Sequence, residues 1–172
     1  MLKRIFLLNM LLSVLAFSSG QEVHAADVNI SGKVIAAACT VSPILIAGQE
    51  VSLGNMGRSL FQNANDTGTW ISFSLDLTNC PAGTTKSTVT FNGTPDSTDN
   101  TLFANTEPAG SAASHMAKDA DRSVVLSNNS TMTVNVDAGT VTFPLAARLY
   151  TPLGAAEPGQ VSSSVLVNFT YQ

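Results

Sequence analysis

The sequence predicts an all-β fold, a sandwich of two antiparallel sheets, on three observations. Apolar residues recur at every second position through much of the chain, the period of a strand with one buried face. Turn-forming residues divide these runs into pieces of strand length. No helical period persists for three turns. Six to eight such strands suit a two-layer sandwich, for which an immunoglobulin-like topology is the commonest solution and a closed barrel the alternative.

Residues 1–25 differ in composition from everything after them and read as an export signal. Lys3 and Arg4 supply the positive end. Ile5 to Phe17 is apolar apart from Asn9 and Ser13, a run too short to span a bilayer as a stable helix. Gly20-Gln21-Glu22 breaks any apolar helical face that would continue it. Val23-His24-Ala25 sets small residues at the two positions a signal peptidase inspects, which places cleavage before Ala26, with the Ala26–Asp27 bond as the near alternative. Residues 26–172 are then the mature chain, with no membrane anchor left.

Along that chain, Val28, Ile30, Gly32, Val34 and Ala36 fall on one face of an extended segment, with Asp27, Asn29, Ser31, Lys33 and Ile35 on the other. A glycine inside such a run marks a close approach by another backbone or a large side chain. Ile71, Phe73, Leu75 and Leu77 alternate with Ser72, Ser74, Asp76 and Thr78, and Val89 and Phe91 repeat the pattern before the turn signal Asn92-Gly93. Between residues 93 and 113 Pro, Gly, Ser, Thr and Asn dominate, which predicts a long surface loop with at most a short helical turn. Met132, Val134 and Val136 lead through Asp137-Ala138-Gly139 into Val141, Phe143, Leu145, Ala147 and Leu149, a predicted hairpin. The last run is Val165, Val167, Phe169 and Tyr171. It reaches almost to the final residue, so its far edge needs a partner from elsewhere.

Composition narrows the function. Hydrophobic residues make up 44 % and charged residues 12 %, so the chain is no highly charged disordered polymer. Eight basic against twelve acidic residues give −4, and removing Lys3, Arg4 and Glu22 with the leader leaves −5. No basic run follows residue 4, which argues against nucleic acid as a partner. With His115 the sole histidine after residue 25, the groups needed for metal or acid–base chemistry are almost missing. His115 reads as a solvated or partly packed side chain, and Trp70 as core filler at a strand start.

Export decides the reading of the two cysteines. In an oxidising compartment Cys39 and Cys80 pair most simply with each other, enclosing some forty residues. The loop-entropy model gives such a crosslink roughly 4 kcal/mol. A catalytic or metal-binding pair would carry close spacing and histidine or acidic helpers, and none is near.

The mature chain resembles the pilin subunits of chaperone-usher pili, in particular the short subunits of type 1-like fimbriae. The resemblance rests on Gly32-Lys33-Val34 followed by Ala38-Cys39-Thr40-Val41, on Leu77-Thr78-Asn79-Cys80-Pro81, on Phe143-Pro144-Leu145 with Arg148, and on the C-terminus. There, alternating apolar residues end in an aromatic at the penultimate position, Tyr171, with a glycine fourteenth from the end, Gly159. Ser114-His115-Met116-Ala117-Lys118 is less apolar than the matching family strand.

The resemblance implies a six-stranded immunoglobulin-like sandwich, residues 38–172, whose seventh strand comes from another polypeptide. Strand addition of this kind is a known recognition mode. The open groove would expose on the order of a thousand Å² of apolar surface at roughly 25 cal/mol per Å². A periplasmic chaperone would fill it first, pairing with the strand of Val165, Val167, Phe169 and Tyr171 and holding the carboxylate of Gln172 with basic side chains. At an outer-membrane usher, the N-terminal extension of the next subunit would replace the chaperone. Residues 26–37 are then a donor strand, with Val28, Ile30, Gly32, Val34 and Ala36 as its inserting face. The protein is expected at the cell surface as a fimbrial subunit, without catalysis, cofactor or metal. The short extension before Cys39 and the segment Asn79-Cys80-Pro81-Ala82-Gly83-Thr84 resemble a minor adaptor more than a major rod subunit. A glycan-binding tip adhesin would need a further lectin domain.

Overall fold

The computed structural model describes residues 29–33, 38–107 and 110–172. The chain divides into two compact units, Met1–Lys33 and Val34–Gln172. In the first, residues 29–33 are exposed and form neither helix nor strand. The second is built from strands, each following from its local sequence.

Strand β1 (Thr40–Val41) is cut short by Ser42-Pro43. The Ser42 hydroxyl accepts from the Leu45 N–H at 3.3 Å and so caps helix α1 (Pro43–Ala47), whose first turn needs no donor from its proline. A 3-10 turn at Arg58–Phe61 and β2 (Asp66–Thr67) precede the longer strands. These are β3 (Ile71–Thr78), β4 (Lys86–Gly93), β5 (Ala113–Lys118), β6 (Thr131–Asn135), β7 (Val141–Thr151) and β8 (Val165–Tyr171).

The larger sheet is organised on β7. Leu145, Ala146 and Ala147 pair with Phe73, Ser72 and Ile71 of β3 and also with Lys118, Ala117 and Met116 of β5, so β3 and β5 flank β7 on opposite edges. β2 continues the β3 side, with Thr67 opposite Tyr150, and β1 pairs with the end of β3. The smaller sheet runs β6-β4-β8, and every pairing is antiparallel. Alternation becomes burial between the two: Leu75 and Leu77, Val89 and Phe91, Met116, Met132, and Val141, Phe143 and Leu145 share one core. Pro144 sits inside β7 without harm. Its carbonyl accepts from the Asp119 N–H at 3.2 Å, on the edge where β5 has already ended at Lys118, so its missing donor faces no ladder.

Two expectations change. At the predicted hairpin the turn forms, with Ala138 at φ 46° and Gly139 at φ 76° and reciprocal main-chain bonds between Asp137 and Thr140 of 2.8 and 2.9 Å. The flanking strands then part, β6 to pair with β4 and β7 with β3 and β5. A tight turn at a corner of the sandwich uses the same residues as a hairpin, and only the partners differ. The loop between β4 and β5 is also less superficial than its composition predicts. Leu102 and Phe103 are each 1 % exposed, and Phe103 bridges Pro95 and Ser114 in the space a side chain on Gly93 would take.

Cys39 and Cys80 form a disulfide, as expected, and no cysteine is free. The bond fastens the residue before β1 to the end of β3, where only two residue pairs hold β1. The protein recovered from an oxidising compartment will therefore take up no thiol alkylating reagent until it is reduced, and two equivalents afterwards, read by intact mass.

Candidate functional site

The smaller sheet leaves one strand half-finished. β8 pairs with β4 from Ser87↔Tyr171 to Gly93↔Val165, and among the described residues no strand pairs with its other edge. Side-chain burial marks the same place. The inward row of β4, Ser87, Val89 and Phe91, is sealed at 0–1 % exposure. The inward row of β8, Val165, Val167, Phe169 and Tyr171, packs on that same core yet stays half-buried along its whole length, alternating with exposed Leu166, Asn168 and Thr170. Phe169 rests on Phe143 with ring centroids 5.7 Å apart. The edge of the larger sheet is equally thin: β1 has two residues, and Val41 and Leu45 beside it are also half-buried against the core. Gln49 beyond α1 reaches β3, its side-chain amide donating to the Ser74 carbonyl at 3.0 Å. An apolar row of strand length beside an unpaired edge is a place for one more strand.

The four apolar residues predicted to meet a partner strand thus share one face of β8. Gln172 follows them, its main-chain oxygen accepting from the N–H groups of Thr85 at 2.6 Å and Lys86 at 3.1 Å and its N–H donating to the Lys86 carbonyl at 2.9 Å. Gly159 stands apart, exposed in the loop before β8. Of the predicted donor face, Ile30 is 92 % exposed and nothing lies within 4 Å of where a Gly32 side chain would begin. Val28, Val34 and Ala36 lie outside the described residues, as do the leader and the cleavage point.

Of the two readings of His115, solvated or partly packed, the packed one holds: at 8 % exposure it is enclosed by Trp70, Arg148 and Tyr150. Trp70 does not fill the core. It precedes β3 on the outer face, where Arg148 lies 4.3 Å from its ring centroid. Sequence reading missed this group because its members come from three separate segments, and the one signal was Arg148 and Tyr150 at alternating positions of β7. Among the described residues no cluster of three or more His, Cys, Asp or Glu is placed to hold a metal ion.

The family model described as fimbrial protein matches residues 28–172. The chain belongs to the fimbrial protein family. Protein FimG of Escherichia coli strain K12 is 33 % identical over 165 residues, 94 % of each chain. S-fimbrial adhesin protein SfaS of Escherichia coli O6:K15:H31 is 34 % identical over 170 residues, covering 99 % of this chain and 98 % of that one. Among solved structures, the P pilus rod subunit PapA superposes with a TM-score of 0.65 at 18 % identity, covering 79 % of this chain and all of PapA. A subunit of a chaperone-usher pilus, solved to explain rod uncoiling, gives 0.61 at 20 % identity over 91 % of this chain. This fimbrial subunit therefore has the fold of chaperone-usher pilins, an incomplete immunoglobulin-like sandwich, and belongs to a family of structural proteins.

Burial raises the Tyr171 phenol above its ordinary value, because the phenolate is the form that burial disfavours. A strand laid along β8 completes that burial. In a Tyr150→Phe background, which leaves Tyr171 as the only tyrosine of the chain, filling the open edge should move the ultraviolet titration of the phenol further up. An unchanged or lowered titration would count against Tyr171 lining the filled edge.

Proposed function

We propose that this chain is a minor subunit of a type 1-like fimbria, joined to its neighbours by exchange of strands at the open edge of β8. The observation that supports the reading is the half-buried inward row Val165, Val167, Phe169 and Tyr171 on an edge strand packed against the core. Residues 1–25 direct export. In the periplasm a chaperone strand covers the row, with basic side chains meeting the C-terminal Gln172. At the outer-membrane usher, the N-terminal extension of the neighbouring subunit takes its place. Residues 26–37 do the same for the subunit on the other side, and Gly32 fits a narrow part of that subunit's groove. The driving force is burial, at roughly 25 cal/mol per Å² of apolar surface, less the ordering of the incoming strand. Similarity to FimG over 94 % of both chains favours an adaptor position. The likeness to the rod subunit PapA, which is one of fold, makes a rod position the second reading.

The two ends separate in experiment. Deleting residues 26–37 should leave the subunit folded and bound to its chaperone, with an unchanged melting temperature of the complex, because its own sandwich does not use them. If they form an internal strand, the deletion exposes the core and unfolds the domain at a cost of several kcal/mol. Gly32→Leu should be harmless to this subunit's stability and should block its addition to the preceding subunit, since a side chain collides with a groove shaped for bare backbone. Tyr171→Ser should abolish co-purification with the chaperone and lead to degradation. Unimpaired polymerisation of the Gly32→Leu chain would refute the donor role, and normal chaperone binding by Tyr171→Ser would refute the β8 assignment.

A further inference from the structure

The outer face of the larger sheet carries a polar cluster that strand exchange does not use. His115 of β5 stands opposite Arg148 of β7, on the face turned away from the core. The Trp70 ring lies 5.1 Å from the imidazole, and the Tyr150 ring meets it edge-on at 5.4 Å. Arg148 donates from Nε to His115 Nδ1 at 3.2 Å and from Nη1 to Thr67 Oγ1 at 3.1 Å, with its guanidinium over Trp70. Arg122 also approaches Trp70, at 5.7 Å, and is paired with Asp119 at 2.9 Å. Asp99, in the loop before β5, is the acidic group acting on His115.

These contacts dictate where the protons are. A guanidinium has donors and no acceptor, so His115 Nδ1 must be the unprotonated nitrogen and Nε2 carries the hydrogen. Nε2 is sealed from solvent and has no hydrogen-bond partner. A second proton has only Nδ1 to occupy, where it would point at the Arg148 N–H. Acid must therefore break the His115–Arg148 bond before it charges the ring. Burial first, and then Arg148, lower His115 from 6.5 to about 4, with Asp99 opposing. The closed form binds fewer protons than an opened one, so its stability is complete above pH 6.5 and is lost as pH falls towards 4.

We propose that the His115–Arg148 pair is an acid-released clasp, which holds β5 and the loop before it against β7 at neutral pH and lets them open in acid. The inward row of β8 lies on the opposite side of the fold's layers and is not part of it. The outer face of the subunit thus changes with acidity while the strand-exchange edge stays as it is.

The chain from residue 26 has one histidine, so its ring signals in NMR are unambiguous. They are followed against pH on the purified mature chain, with or without a strand in its groove, together with hydrogen exchange of the β5 and β7 amides. The ring should titrate well below 6.5. Corrected for intrinsic exchange, the open-to-closed ratio at β5 should rise about 30-fold between pH 7.5 and pH 5, from the difference between the two titration values, while β4 and β8 amides keep their protection. His115→Gln keeps an acceptor for Arg148 and cannot titrate, and should remove the acid response. A ring that titrates at 6.5 or above, or the same acid opening in the Gln variant, would overturn the clasp. If the Gln variant fails to fold, amide exchange of the unsubstituted chain decides: acid opening at β5 with β4 and β8 still protected upholds the clasp, and β5 amides equally protected at pH 5 overturn it.

Discussion

An apolar row cannot stay in water without cost, and the inward side of β8 is such a row. The strands around it leave this row half-buried, together with Val41 and Leu45 at the thin edge of the larger sheet. The larger sheet is complete around β7, which has a partner on each edge. β4 lies between β6 and β8 in the smaller sheet, and its inward row is sealed. The gap has the shape of one strand because one strand is what a two-sheet sandwich of this order lacks. On the strand-exchange reading proposed above, specificity lies in side chains that alternate along the edge, and affinity in main-chain bonds and burial.

That design requires a scaffold stiff enough to hold an unfilled groove open. The Cys39–Cys80 bond supplies part of the stiffness where β1 is too short to hold itself, and it acts chiefly by restricting the unfolded chain. Phe103 supplies another part by closing one margin of the core beside Gly93. Several polar side-chain bonds lie on the outer faces. On the smaller sheet, Asn168 bonds Asn92 and Asn92 bonds Asn129 at 3.0 and 2.8 Å, and Thr88 meets Thr133 at 2.7 Å. Such uncharged cross-strand pairs steady the sheet without dependence on pH or salt. The larger sheet differs, because its Trp70, His115, Arg148 and Tyr150 group is both charged and titratable, and so answers to the medium.

Much of this was readable from the chain alone. Alternation named the inward faces of β3, β4, β7 and β8 correctly, because a period of two leaves no choice of face once one residue is known to be buried. The cysteine pairing followed from an exported context and a count of two. The open edge was anticipated in the run Val165, Val167, Phe169 and Tyr171, read as a strand whose far edge needs a partner. The predicted hairpin at Asp137-Ala138-Gly139 shows the limit of such reading. Turn chemistry is local, but whether the strands on either side pair with each other or with distant segments is settled by the whole sheet. The loop holding Leu102 and Phe103 failed for a similar reason. Its composition is polar, and two apolar residues do not make a period.

Residue type and spacing along one chain were enough for the class of fold, the buried faces of β3, β4, β7 and β8, the disulfide and the family. Tertiary structure alone decided which strands are neighbours, how far each inward row is sealed, and what His115 touches. These depend on segments far apart in sequence: Trp70, His115 and Arg148 meet only because β3, β5 and β7 lie side by side in one sheet. A lone histidine carries no sign of its surroundings. Its chemistry here comes from an arginine thirty-three residues away, brought to 3.2 Å by the register of two strands.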